Sequence, residues 1–198
     1  SKMRQAKLVR DELIYRLLLA RPFRQRNIRE MKLDKNLFKD SDGKWQLYFT
    51  GEETKAGNTI RFSFPQDLVE LLEEYLNVNR PIILNNYESD WIFPSPNGSH
   101  VCGRTVQRII TDNTQRVLGV HVFPHLLRDC AAYEWLKEHP HDYLMVAKLL
   151  GHKDIQTTID IYGHFEGPEA AELFDAFRLR KQKVTRKKNA LETENQEY

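Results

Sequence analysis

The chain has 198 residues, 40% of them hydrophobic and 29% charged, with 30 Lys and Arg against 28 Asp and Glu. That length and apolar content suit one globular domain with a sizeable core, and no apolar run is long enough for a transmembrane helix. Two cysteines, Cys102 and Cys130, exclude a disulfide framework and a four-thiolate zinc site, and no charged-then-apolar signal segment opens the chain. The expectation is an ordered, soluble, cytoplasmic domain with no membrane partner.

The formal net charge of +2 hides a segregation along the chain. Residues 1–35 carry 11 Lys and Arg against 4 acids, a local +7. Residues 66–90 carry one Arg against six acids, and residues 174–188 carry seven Lys and Arg against one Asp, local balances of −5 and +6. Such runs are ordinarily solvated helix faces, but two basic stretches around an acidic one also suit a polyanion.

Leu8, Leu13, Leu17 and Leu18 recur at helical spacing and predict an amphipathic helix over residues 5–20, ended by Pro22. A short helix is expected from Arg24 to Met31. The character then changes. Lys32 to Phe38 reads as a strand, Asp42-Gly43 as a turn, and Trp45 to Thr50 and Thr59 to Phe64 as strands rich in aromatic and β-branched residues. Residues 51–58 form the polar turn between the last two, with Lys55 near its tip. Gln66–Asn79 reads as an acidic amphipathic helix, and the stretch around Pro94, Pro96 and Gly98 as loop. Helices are expected at Arg104–Leu118, Pro124–Glu138, Asp142–Leu150, Asp154–Tyr162 and Pro168–Lys183, with a mobile tail after them. The expected fold class is therefore α+β, mostly helical, with a small antiparallel three-stranded sheet.

Several chemistries can be weighed against this layout. His121 and His125 are four apart and His139 and His141 two apart, but no spacing supplies the three or four convergent ligands of a zinc site. Neither glycine-rich phosphate loop pattern is present, nor a Gly-x-Ser-x-Gly elbow, so nucleotide cofactors and serine hydrolysis lack support. What stands out is a series of cations followed by a tyrosine. His125 and Arg128 sit three apart at a helix start, His152 lies just past a helix end, and Tyr162 follows ten residues later. Arg24 opens a short helix upstream, and Lys55 tips the hairpin. A guanidinium suits two non-bridging phosphate oxygens, and a tyrosine hydroxyl can attack phosphorus once that charge is neutralised and the leaving oxygen protonated. Singly, each residue has an ordinary explanation: a helix-surface pair, a core aromatic, a solvated basic face, a solubilising turn residue.

Together and in order, these residues closely resemble the tyrosine recombinase (phage integrase) family. The resemblance runs from about Leu8 to Pro168 and is most specific in Phe123-Pro-His125-Leu-Leu-Arg128, Leu149-Leu-Gly-His152 and Thr158-Ile-Asp-Ile-Tyr162-Gly-His164. It implies a catalytic set of Arg24, Lys55, His125, Arg128, His152 and Tyr162, working without cofactor or metal. By the same resemblance Tyr162 attacks a DNA phosphate to give a 3′-phosphotyrosyl link, and Arg24 and Arg128 clamp the non-bridging oxygens. His125 assists proton transfer or bonds the phosphate, His152 bonds it from the other side, and Lys55 moves with its hairpin to protonate the leaving 5′-oxygen. The implied activity is site-specific recombination of double-stranded DNA, with self-association in a synaptic complex. Two other readings stay open: type IB topoisomerase-like relaxation of DNA, and a DNA-binding regulator of the same fold without turnover.

Two departures from the family pattern stand out. Asn27 occupies the place, three residues after Arg24, where many members have Glu, which leaves Arg26 as the alternative first arginine. Asp129-Cys130 follow the His-x-x-Arg motif, and Cys130 reads as a small buried apolar residue rather than a nucleophile. The expected organisation is a catalytic domain over 1–185 and a flexible tail over 186–198, without the N-terminal DNA-gripping domain usual in the family. The last helix, with Leu173, Phe174 and Phe177 on one face, reads equally as in-cis core and as a segment docking on a neighbouring protomer.

Overall fold

A computed structural model describes residues 1–163, and by the density of backbone contacts the chain divides into two units, Ser1–Thr158 and Ile159–Tyr198. The expected helix at Pro168–Lys183, the basic stretch over 174–188 and the tail lie outside the described residues.

The first unit is organised on α1 (Lys2–Ala20), longer at its N-terminal end than the leucine pattern indicates because the Ser1 hydroxyl caps Arg4 N–H at 3.4 Å. Ala6, Val9, Leu13, Ile14, Leu17 and Leu18 form its buried apolar stripe, joined by Arg10, whose buried guanidinium pairs with Asp11 at 2.7 Å. Pro22 cannot continue the helix. Phe23 then turns into the core, its ring 5.2 Å from Phe49 and 5.8 Å from Phe62, and so pins the start of α2 (Gln25–Arg29) to the sheet.

That sheet has three antiparallel strands in the order β1 (Leu37–Lys39), β2 (Trp45–Phe49), β3 (Ile60–Ser63), with Leu37 opposite Leu47 and Phe49 opposite Ile60. β1 is shorter than expected. Asp34 has φ +59°, and the Asn36 side-chain oxygen accepts from Lys32 N–H at 2.9 Å, so residues 32–36 close a tight turn instead of extending.

The acidic helix differs from its expected form at both ends. A 3₁₀ turn over Gln66–Leu68 leads into α3 (Val69–Glu74), a π-helical stretch over Tyr75–Asn79 and α4 (Arg80–Leu84). Pro81 gives the physical reason. It has no N–H and its ring crowds the carbonyl four residues back, so the chain widens by one residue per turn ahead of it rather than stopping. Tyr75, in that stretch, is fully buried and donates its hydroxyl to Ile92 O at 2.8 Å. Burial raises its pKa well above the usual phenol value, which marks it as core.

α5 (Gly103–Leu118) lays Val106, Ile109, Ile110 and Thr114 on the core and packs against α1, α2 and α6. α6 (Pro124–Glu138) starts on Pro124, where a missing N–H costs nothing. α7 (Tyr143–Leu150) starts on Asp142, whose carboxylate accepts from Met145 N–H at 3.2 Å and from the Trp135 indole at 3.0 Å. α8 (Ile155–Tyr162) follows. Cys130 is exposed, contrary to the expectation of a buried position. It lies two residues before buried Ala132, which at 3.6 residues per turn sets it almost opposite the core-facing side of α6.

Candidate active site

Arg24, Lys55, His125 and Arg128 line one open cleft of about 460 Å³. They come from the start of α2, the β2–β3 loop and the first turn of α6, and Gln25, Gln107 and the Phe123-Pro124 pair complete the walls. Arg24 is the residue before α2 and has extended backbone (φ −67°, ψ 145°), so its side chain leaves the chain beside buried Phe23. Burial lowers its pKa from the ordinary guanidinium value. Arg26, the alternative register, is largely exposed and pairs with Glu30 at 2.8 Å, lining a different crevice with Lys32 and Trp91. The cleft therefore contains Arg24 and not Arg26.

Arg128 is held from two directions. Its guanidinium donates to Leu150 O at 2.6 Å and to Pro22 O, joining the last carbonyl of α7 to the turn after α1. A cation at a helix C-terminus meets both an orphan carbonyl and the negative end of the helix dipole. His125 is exposed one turn earlier on α6, its ring parallel to Phe123 with centroids 6.2 Å apart.

His152 follows a tight helix end. Gly151 has φ +62°, and His152 N–H returns to Ala147 O at 2.8 Å. A Cβ on Gly151 would stand 2.7 Å from the Ile60 Cδ1 atom, so this turn also fits closely against β3. The His152 Nδ1 lies 2.8 Å from the hydroxyl of Thr158, which is fully buried. Burial lowers the His152 pKa, and the positive charges of Arg128 and then Arg24 lower it further against a weaker pull from Asp129. Both arginines are therefore electrostatic neighbours of this imidazole. Tyr162 closes α8 and belongs to the second unit, and its side chain is buried.

Lys55 is exposed on a loop whose framework is dense. Glu53 accepts from Thr50 N–H at 2.9 Å, from the Thr50 hydroxyl at 3.1 Å and from Asn36 Nδ2 at 3.1 Å, and pairs with Lys35 at 2.9 Å. Burial alone would raise its pKa, but these donors outweigh it and hold the carboxyl down at about 2. Asn27, at the position of the first departure, is buried and donates to Glu53 O at 3.0 Å.

Sequence reasoning did not single out Gln107, Thr158, Glu53 or this contact of Asn27. Thr158 lies on α8 while His152 precedes that helix in the turn after α7, so no single helix or strand period relates them. Among the described residues, no three His, Cys, Asp or Glu side chains are grouped as metal ligands, the two histidine pairs included.

By its class the described fold is α+β, mostly helical with a small three-stranded antiparallel sheet, and it gathers Arg24, Lys55 and Arg128 from separated elements around one open cleft. The chain can be assigned more closely. Residues 2–167 match the Phage integrase family, and the chain belongs to that family. It is 31% identical over 170 residues to the tyrosine recombinase XerC of Pseudomonas syringae pv. tomato, covering 84% of this chain and 52% of that protein. It is 35% identical over 100 residues to the tyrosine recombinase XerD of Pseudomonas aeruginosa, over 50% of this chain and 33% of that one. The chain thus spans about half the length, or less, of the curated relatives it matches. The fold is shared with the site-specific recombinase XerH bound to its difH substrate, at a TM-score of 0.64 and 21% identity over 88% of this chain and 47% of that one. It is shared also with the XerA recombinase, at a TM-score of 0.57 and 20% identity over 89% and 62%.

Proposed function

We propose that this chain carries the catalytic part of a site-specific DNA recombinase that cuts and rejoins double-stranded DNA through a 3′-phosphotyrosyl intermediate. The observation that supports it best is the single cleft lined by Arg24, Lys55, His125 and Arg128, with His152 in the field of both arginines. The named activity of the XerC and XerD relatives points the same way.

In this reading the Tyr162 oxygen attacks phosphorus and the bond from phosphorus to the 5′-oxygen breaks. Arg24 and Arg128 take up the charge that grows on the non-bridging oxygens, as donors fixed in place before the reaction do most effectively. His152 bonds the same phosphate. Its Nδ1 can accept from the Thr158 hydroxyl, which leaves Nε2 carrying the proton as a donor. His125 assists proton transfer or bonds the phosphate, and Lys55 gives its proton to the departing 5′-oxygen. Attack by the 5′-hydroxyl of a second strand reverses the step on a new partner, within a synaptic assembly of several copies. The phosphotyrosyl link conserves the ester, so the scheme uses neither nucleotide nor metal, and in this reading the protein acts on its DNA in the cytoplasm.

The test is a pool of duplexes with randomised sequence, each nicked so that cleavage releases a short 5′-hydroxyl strand that diffuses away. The expected product is a detergent-resistant protein–DNA adduct that maps to Tyr162, disappears in Tyr162→Phe and forms undiminished in excess EDTA. An adduct that survives Tyr162→Phe, or none from the whole pool, would overturn the reading.

A further inference from the structure

We infer that Asn27 and Glu53 are positioning residues that hold the Lys55 loop in register with Arg24. The inference deepens the function proposed above and rests on it. A lysine ammonium is a point charge on a flexible four-carbon stem, so where it delivers a proton depends on where its backbone is held.

Three layers of contact hold it. The neck of the loop is pinched, since a Cβ on Gly51 would stand 2.6 Å from Gly57 O and only glycine allows that approach. Within the loop, the Thr54 hydroxyl reaches Gly51 O at 3.2 Å and Asn58 O at 2.7 Å. Below it, the Glu53 carboxylate gathers Thr50, Asn36 and Lys35, and Asn36 is itself fully buried with its amide on Tyr48 O at 3.0 Å. These contacts tie the loop to the sheet.

The tie to Arg24 is a separate bond. Asn27 stands one helical turn after Arg24 on α2, and its Nδ2 donates to Glu53 O, two residues before Lys55. Glu53 therefore faces both ways: its side chain fixes the loop to the sheet and its carbonyl fixes the loop to the helix of Arg24. The distance between the cation that holds the phosphate and the acid that protonates the leaving oxygen is set through this residue pair. A donor as well as a fit is required at position 27, because a carbonyl oxygen can only accept.

The test compares two nicked duplexes of one sequence recovered from the pool, one with an ordinary 5′-bridging oxygen and one with sulfur there. A thiolate leaves without protonation, so the sulfur substrate bypasses Lys55. Wild type should cleave both, and Lys55→Ala only the sulfur one; failure of either control overturns the function proposed above rather than the positioning role. Asn27→Ala should slow cleavage of the oxygen substrate by roughly ten- to a hundredfold, the usual effect of misplacing a reacting group by about an ångström. On the sulfur substrate it should stay within about threefold of wild type, since phosphate binding is left intact. Glu53→Gln should show the same split, as should Asn27→Asp, which keeps the shape and loses the donor. Equal slowing on both substrates, an unchanged rate on oxygen, or loss of fold in all three variants by circular dichroism would each overturn the positioning role.

Discussion

Arg128 shows what a single residue supplies at this site. Its guanidinium already spans Leu150 O and Pro22 O, so its orientation is fixed before any phosphate arrives. Lysine keeps the charge but has one nitrogen in place of a planar fork, and cannot hold both carbonyls in that geometry. Arg128→Lys should therefore lose about 1.5–3 kcal/mol of stability in urea unfolding, the usual worth of a hydrogen bond to a charged group. Cleavage should fall far more than stability accounts for under conditions where the variant is fully folded. Wild-type cleavage by Arg128→Lys would show that charge alone is needed there. Arg26 makes the contrasting case. It is exposed and, among the described residues, paired along its own helix with Glu30, so Arg26→Ala should leave both stability and cleavage near wild type, whereas Arg24→Ala should abolish cleavage. A larger loss from Arg26→Ala would reassign the first arginine.

At the scale of elements, the turn between α7 and α8 joins the sheet to His152. Gly151 needs φ +62° and sits where a Cβ would press on the Ile60 side chain. Gly151→Ala should cost about 1–2 kcal/mol for the left-handed backbone, plus the crowding against Ile60. Ile60→Val removes the nearest methyl, so the double variant should be less destabilised than the sum of the two single changes. Strict additivity in urea unfolding would mean that the crowding contributes nothing. The leucine-glycine-histidine pattern makes this turn legible in sequence, because glycine at a helix end has a local cause. The limits of α5 and α6 were legible for the same reason: a glycine stops one and a proline starts the other. β1 and the acidic helix were read less well. The Lys32 to Phe38 segment has strand-like composition, but the Asn36 side-chain oxygen accepts from Lys32 N–H and turns the chain. The acidic helix is expected to end at Asn79, yet helical backbone continues to Leu84 through a π-helical stretch whose Tyr75 is anchored to Ile92, a tertiary contact with no local signature. The candidate site divides in the same way. Arg24, Lys55, His125 and Arg128, which share the cleft, are picked out through motif order, whereas the Asn27–Glu53 bond joins residues 26 apart and leaves no periodic trace.

For the molecule as a whole, charge acts through placement more than through the net +2. Arg24, Lys55 and Arg128 share one cleft, and the charges of the two arginines act on His152. Such a cluster opposes its own charging. Burial first, then Arg128 and Arg24, keep the His152 pKa below the ordinary imidazole value of about 6.5 in the folded chain. The unfolded chain then takes up a proton that the native state resists. Stability should fall as pH drops below about 6.5 and stop falling once the lower native pKa is passed. A phosphate in the cleft would offset the arginine charges and raise the His152 pKa, so DNA binding should take up a proton and tighten as pH falls from about 7 to about 6. Urea unfolding across this range, in wild type and His152→Gln, measures the first effect. Duplex binding at matched ionic strength measures the second, since salt by itself changes phosphate affinity. Both pH slopes should flatten in His152→Gln. A binding slope that persists in the variant would assign the proton uptake to another group, and a wild-type stability that does not change below pH 6.5 would mean that the arginines do not hold His152 neutral.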